Sequence, residues 1–378
     1  MNKDIFLHKH ICLVGDHSNP LGIIRSLGEV GIKPIVLLCA ENPKLVQHSK
    51  YIGEIHYFKS FKEGFCYLIN HYSNEKLKPF IYNGSDDTSL LLDKHYLELK
   101  DRFFFTNGQG ALEKYLDKYE LCNLALNCGI DVPQEELLTV GTLPTTLKYP
   151  VITKAVTSAT GVGWKEQSFI CENKQELLQA YKKINAQSVL VQEYIRKKNE
   201  LCIDGISING GEQIFMPYAC SYYRFPQGSY GNYMYYSPFR NDELIKKITM
   251  LIRRAKFSGI FCIEFLIGPD DKLYFLEVNF RNSGWSYAFT YGGYNLPIRW
   301  AISSLEGKIS KEDFQYLEKF NAMEEICELR DCKNIYGISF WGWLKDFLKC
   351  DCCLIYNKKD IKPFIAEVYN IFKRKLSK

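Results

Sequence analysis

The sequence predicts two fold types in succession, an α/β domain built on a parallel sheet and then an α+β region of antiparallel strands, and three observations carry this. Residues 11 to 105 alternate short apolar runs with helical patterns, and strand, helix, strand at that spacing implies parallel pairing. Beyond Pro133 the texture changes to strands joined by hairpin-like turns, YPVITK, SVLVQEYI, ELCIDGISIN and EQIFMPYA. The length of 378 residues allows two or three domains at about 150 residues each. With 46% apolar and 24% charged residues the composition is globular, which excludes disordered and fibrous classes.

In the first half the elements run ICLVG, Leu21 to Val30 stopped by Gly31, PIVLL, a helix after Ser60, and PFIYN. The first turn, GDHSNPLG from Gly15 to Gly22, stands where a dinucleotide fingerprint would, but it lacks GxGxxG and contains Pro20, so a nicotinamide cofactor is weakly supported. Ser85, Asp86 and Asp87 announce a helix, a small polar cap followed by carboxylates at the positive dipole end. Gly110 to Leu126 reads as one helix closed by Gly129, and Asn173 to Ile184 as another. Residues 220 to 240 carry many Gly, Pro and Tyr and read as a long functional loop. A helix from Asn241 to Phe257 precedes two strands, Ile260 to Ile267 and Leu273 to Phe280, joined by GPDDK, and the last 70 residues read as helical. The expected units are 1–110, 111–190, 191–310 and a helical extension over 311–378.

Lys and Arg number 48 against 43 Asp and Glu, a net charge of +5 that reads as spread along the chain, so no nucleic-acid footprint is expected. No apolar run approaches the roughly 18 residues of a spanning helix, and His8, Lys9 and His10 break the N-terminal apolar stretch, so the expectation is a soluble, cytoplasmic protein. Many of the fourteen cysteines lie in apolar runs, as buried thiols do. The C-terminal group Cys327, Cys332, Cys350, Cys352 and Cys353 is read as holding no C-x-x-C pair, and adjacent Cys352 and Cys353 suit a zinc cage poorly, so the group is read as structural.

The sharpest chemical feature is the GPDDK hairpin. A period of two puts Ile260, Cys262, Glu264 and Leu266 on one face, which strands a carboxylate among apolar neighbours. A turn centred between Asp270 and Asp271 sets Glu264 opposite Glu277, with Asn279 two residues on along the same face. Two facing carboxylates repel unless a cation stands between them, and with an amide oxygen they form a hard oxygen set suited to Mg²⁺. The bland alternative is that one glutamate is solvated. Lys154 ends YPVITK ahead of TSATGVG, where Ser158, Thr160, Gly161 and Gly163 form a small flexible loop, an arrangement able to meet phosphate oxygens although it is no Walker A sequence. A plain hairpin with a solvated lysine is the alternative, and Lys118, on a helix, is equally readable as a surface residue. VLVQEYI ends in Gln192, Glu193 and Tyr194, with Glu200 beyond, as an adenine edge and a ribose diol require, or as a charged loop between core strands. Seven Tyr or Phe between 221 and 236 surround Arg224, a planar fork for a substrate carboxylate, unless the segment is an aromatic lid packed on its own domain.

In their order along the chain, DKYELCNLALNCGIDVP, YPVITKAVTSATGVG, VLVQEYIRKKNE and GIFCIEFLIGPDDKLYFLEVNFRNSG resemble the ATP-grasp superfamily, a likeness that covers residues 10 to 305. The resemblance implies a Rossmann-like N-terminal domain followed by a two-lobed ATP-grasp fold, with ATP and Mg²⁺ as cofactors. It implies that Lys118 and Lys154 hold ATP phosphates, that the loop from Thr157 to Gly163 closes over them, and that Gln192, Glu193 and Ile195 belong to the adenine contact. Glu200 would bind the ribose, Glu264, Glu277 and Asn279 the metal, and Arg281, with Lys154, the reacting phosphate or acyl group. The chain departs from the family at Arg196, Lys197 and Lys198, where a glycine is usual. GNY at Gly231 to Tyr233, which adds Asn232 to Arg224 as a substrate residue, and EVNFRNSGWS resemble the D-aspartate ligase and carbamoyl phosphate synthetase-like branch. The implied activity is a carboxylate–amine ligase forming an amide or peptide bond through an acyl phosphate on an amino acid or peptide precursor. A carbamoyl phosphate synthetase-like enzyme and an ATP-binding module without turnover are the alternatives, and a hydride-transfer enzyme is a distant third. The partners are small carboxylate and amine substrates, with no nucleic acid and no membrane span, and a homodimer is allowed.

Overall fold

The computed structural model describes residues 3–156, 168–226, 228–310 and 315–376. The first part contains β1 (His10–Val14), α1 (Ser18–Gly28), β2 (Ile35–Cys39), β3 (Glu54–Phe58), α2 (Phe61–Tyr72), β4 (Phe80–Asn83), α3 (Asp86–Lys94) and α4 (Tyr96–Leu99). Its strands form a parallel sheet in the order β3-β2-β1-β4, as the spacing predicts. All five residues of β1 are buried because both faces of the sheet are covered. Cys12 and Val14 join Leu21 and Ile24 on one face, while Ile11 and Leu13 join Phe65 and Leu68 on the other. Ser85 caps α3, its Oγ accepting the Thr88 N–H at 3.3 Å. The turns carrying His17 and Asp86 therefore leave the carboxyl ends of the adjacent strands β1 and β4, where open α/β sheets bind ligands.

The helix expected over Gly110 to Leu126 is interrupted: α5 (Leu112–Tyr115) ends before Asp117, whose carboxylate caps α6 (Lys118–Asn127) by accepting the Tyr119 and Glu120 N–H groups at 2.9 and 3.1 Å. There follow β5 (Glu135–Thr139), β6 (Val151–Lys154), β7 (Ile170–Cys171), α7 (Lys174–Tyr181) and β8 (Ser188–Glu193), with the four strands antiparallel in the order β5-β8-β6-β7. A boundary at residue 190 would cut β8. Leu112, Leu121, Cys122 and Ala125 pack with Ile248 and Phe261, so α5 and α6 belong to the core of the next sheet.

That sheet is built from β9 (Asn199–Ile208), β10 (Gln213–Phe215), β11 (Tyr218–Arg224), β12 (Tyr233–Pro238), β13 (Gly259–Ile267) and β14 (Leu273–Asn279), with α8 (Asp242–Arg254), α9 (Ser286–Tyr291) and α10 (Leu296–Glu306) packed on it. The chain ends in β15 (Phe320–Met323), α11 (Glu325–Asn334), α12 (Phe340–Lys349), β16 (Cys352–Cys353) and α13 (Lys362–Leu376). The order is β14-β13-β9-β11-β12-β15-β16, with β10 on the flank of β9. Two expectations are corrected here. The segment 220–240 is chiefly an antiparallel hairpin, with Tyr218, Cys220, Tyr222, Met234 and Tyr236 buried at strand spacing, because tyrosine is a strong strand former. The C-terminal segment is not purely helical, since β15 and β16 extend the sheet. All fourteen cysteines are free thiols. Cys350 and Cys353 stand three apart as C-x-x-C, which corrects the reading that the group holds no such pair, and the Cys350 thiol donates to Cys352 O at 3.2 Å.

Alternation splits the large sheet cleanly. Ile203, Phe261, Ile263 and Phe265 face α8, whereas Cys202, Ile206, Ile260 and Cys262 face the core shared with α9, α10 and the N-terminal sheet. Even-numbered positions of β9 and β13 thus point toward the N-terminal part, and Glu200 and Glu264 are among them.

Candidate active site

Glu264 lies directly opposite Glu277, and Cys262 opposite Asn279. The turn reaches this register in two steps. Gly268 N–H donates to Lys272 O at 2.8 Å and Asp271 adopts φ +63°, so the loop is centred on Asp270, with Leu266 opposite Tyr274. A bulge at Leu276 then shifts the pairing by one and restores Glu264 to Glu277. Asn279 Nδ2 donates to Glu264 Oε1 at 3.1 Å and to Glu277 Oε1 at 3.3 Å, while its Oδ1 accepts Arg281 Nη2 at 2.9 Å. Burial pushes the Glu264 carboxyl well above the usual range, and Glu277 and Glu200 push it further. Such a pair fits a hard divalent cation, and a half-turn of the Asn279 amide would add its oxygen to the set.

A cavity of about 400 Å³ opens over this pair, lined also by Lys118, Asp86, Arg281, Tyr222 and Trp285. Lys118 is fixed at the start of α6, where its N–H donates to Val156 O at 3.0 Å. Lys154, at the end of β6, donates from Nζ to Gln192 Oε1 at 2.7 Å, and Gln192 Nε2 donates to Glu135 Oε2 at 2.7 Å. Burial lowers the Lys154 pKa and nearby Lys118 lowers it further, while Glu277 acts in the opposite sense, so Lys154 belongs to the same electrostatic neighbourhood. The Gln192 side chain thereby links Lys154 to Glu135. The N–H groups of Glu193 and Tyr194 are engaged within the protein, by Gln134 O at 2.8 Å and Pro150 O at 3.0 Å, and Ile195 is buried beside them.

Glu200 is brought to the carboxylate pair. Its oxygen, the Cys202 Sγ and a Glu264 oxygen lie within 4.8 Å of one another. Lys197, one of the residues standing where the family has glycine, is buried, pairs with Glu200, donates to Ser229 O and lies 4.7 Å from the Phe225 ring centroid.

Arg224 and Asn232 are not brought to the cavity. Arg224 pairs with Glu328 and, at 2.8 Å, with Asp346, and Asn232 Nδ2 donates to Asp331 at 2.6 Å. Both tie the β11–β12 hairpin to the C-terminal helices, which corrects their reading as substrate residues. Ser158, Thr160, Gly161 and Gly163 lie outside the described residues. Sequence reasoning missed the contributions of the N-terminal part: Asp86, read only as a helix start, stands 3.2 Å from Arg281 Nε, and burial followed by Arg281 lowers the pKa of His17. It also missed Asp204, buried on β9 and accepting the hydroxyls of Ser283 and Ser286.

A parallel nucleotide-binding-type sheet, a small antiparallel lobe and a large sheet bearing paired carboxylates together define an ATP-grasp protein. Residues 116–288 match the family model of the RimK-like ATP-grasp domain. The superfamily expected from the sequence is the one found, and the branch that matches is the RimK-like one. Among solved structures, the chain is similar to N5-carboxyaminoimidazole synthetase from Staphylococcus aureus, with TM-score 0.66 and 17% identity over 87% of this chain and 86% of that one. It is also similar to an L-amino acid ligase from Bacillus licheniformis, with TM-score 0.64 and 12% identity over 83% and 80% of the two chains. The biotin carboxylase–βγ-ATP complex from Campylobacter jejuni gives TM-score 0.64 and 17% identity over 83% and 74%. No curated protein matches in sequence.

Proposed function

We propose that this chain is an ATP- and Mg²⁺-dependent carboxylate–amine ligase that forms an amide or peptide bond through an acyl phosphate, acting on an amino acid or peptide precursor. The observation that carries the reading is Glu264 facing Glu277 in the cavity, bridged by Asn279, with Lys118 and Arg281 on the same walls. Glu264, Glu277 and Asn279 would hold Mg²⁺, which neutralises phosphate charge when bound. Lys118 and Lys154 supply ammonium groups to phosphate oxygens from the α6 and β6 side, and Gln192 holds Lys154 in place. Arg281, two residues beyond the end of β14, is held by Asn279 and Asp86 as a fixed cation for charge that grows on the transferred group. This chemistry calls for positioning and charge compensation more than for a general base. In this reading the sheet containing Lys154 and the sheet containing the carboxylates are the two lobes that enclose the nucleotide, and residues 1–110 form the Rossmann-like unit on the substrate side.

The test is ADP formation over a panel of amino acids and short peptides, each offered as carboxylate and as amine, with Mg²⁺. A ligase releases ADP in step with amide product only when both substrates are present. ADP release with bicarbonate and ammonia alone would select the carbamoyl phosphate alternative, and nucleotide binding without any ADP release would select a binding module.

A further inference from the structure

The C-terminal helices turn apolar side chains outward. On α13, Ile365, Tyr369 and Phe372 follow one another at helical spacing and are 58%, 65% and 62% exposed. A helix on a globular surface normally turns its apolar stripe inward, and α13 already does so through Pro363 and Phe364, so this is a second stripe. On α12, Trp343 and Phe347 pack inward with ring centroids 5.2 Å apart, while Trp341 and Leu348, both 74% exposed, face solvent together with Phe340. The helices form one unit, because Phe347 meets Tyr356 at 5.7 Å and Tyr356 meets Phe364 at 5.3 Å. Beside Ile365 and Tyr369 an open groove of about 510 Å³ is walled by Lys44, Gln47 and His48.

Charge is distributed to match. Residues 333–378 carry ten Lys or Arg against four Asp or Glu, a net +6 that exceeds the +5 of the whole chain. The expectation of an even spread is therefore corrected: the positive balance of the protein resides in this segment. Lys345 and Lys349 stand among the exposed residues of α12, and Lys362 and Lys373 flank the stripe on α13.

We propose that the α12–α13 unit docks onto the surface of an anionic lipid bilayer. Exposed Trp, Tyr, Phe and Leu flanked by lysines are what an interfacial helix presents to acyl chains and headgroups, and a negative leaflet attracts the +6 segment. Charge disfavours the main competing occupant, a second copy of this chain, because a two-fold contact sets the same positive segment against itself. The attachment is peripheral: among the described residues no helix is long and apolar enough to cross a membrane.

The experiment is co-sedimentation of the full chain with phosphatidylcholine vesicles and with vesicles in which about 30% of the lipid is phosphatidylglycerol, at low and high salt. Two variants accompany it, Trp341→Ser with Leu348→Ser, and Ile365→Ser with Tyr369→Ser and Phe372→Ser, and light scattering gives the oligomeric state of each. All five side chains are exposed, so thermal melting should stay near wild type. The proposal expects binding at least roughly tenfold tighter to the anionic vesicles, weakened by salt, and a loss of roughly tenfold in each variant. Equal binding to both vesicle types, no binding, or variants that bind like wild type overturn it. So does a wild-type dimer that the variants turn into monomers, which would assign these faces to a second copy.

Discussion

Arg281 Nε stands 3.2 Å from Asp86 Oδ1, which anchors a cation at the end of β14 on a carboxylate from the first turn of α3, in a different sheet domain. Burial raises the Asp86 pKa, and Arg281 opposes that shift. Burial disfavours the arginine's charge, but Asp86, Glu277 and Glu264 outweigh it and raise the Arg281 pKa. The cavity therefore draws its charges from both sides, with Lys118 and Arg281 set among Asp86, Glu264 and Glu277.

Lys154 is held by Gln192 and desolvated, with Lys118 nearby. Lys154→Ala should weaken ATP binding by about 1.5–3 kcal/mol, the scale of a charge-assisted phosphate contact. Its unfolding free energy should change by less than about 1 kcal/mol, because a disfavoured buried charge is lost with the contact. Nucleotide titration and urea unfolding measure the two, and an unchanged ATP affinity would return Lys154 to a structural role.

Arg224→Ala should act on stability and not on substrate affinity. It leaves Glu328, fully buried, without its cationic partner, a loss of about 3–5 kcal/mol. Adding Glu328→Gln should recover part of that loss. A variant of normal stability with a raised KM for the carboxylate substrate would reinstate the recognition role that the geometry removes.

The carboxylate pair was legible in the sequence because strand alternation and a short hairpin fix register locally, within fourteen residues of chain. Even the bulge at Leu276, which the sequence did not signal, returned Glu264 to Glu277. Arg224 was misread because its partner Glu328 is 104 residues away, and no local pattern announces such a pair. Asp86 obeys the helix-start rule and also serves Arg281, and the second role depends on the packing of two domains. The Tyr-rich hairpin failed for a different reason, a wrong weight on tyrosine, since the period-two burial of Tyr218, Cys220 and Tyr222 was present in the sequence.

Glu325 gives a pH-dependent prediction. Burial pushes its carboxyl up from 4.5 to about 7, with Glu324 adding to this against the Tyr356 and Ile355 N–H groups it accepts. The folded state therefore binds this proton more tightly than the unfolded chain. The stabilisation is complete below pH 4.5 and is lost as pH rises through 7, an amount of about 3 kcal/mol. Glu325→Gln should remove that slope, so wild type minus variant stability should fall by about this amount between pH 4.5 and 8. Parallel stability curves for the two proteins would show that Glu325 does not titrate in this way.

The central claim is that Glu264 and Glu277 hold the cation through which ATP is turned over, and Glu277→Gln tests it most directly. The substitution removes one of two facing charges and keeps the shape, so the melting temperature should stay at or above that of wild type. Steady-state ATP turnover at saturating Mg²⁺, with the substrate pair found by the panel, should fall by about two orders of magnitude or more. Turnover within a few-fold of wild type in a folded Glu277→Gln protein would contradict the account.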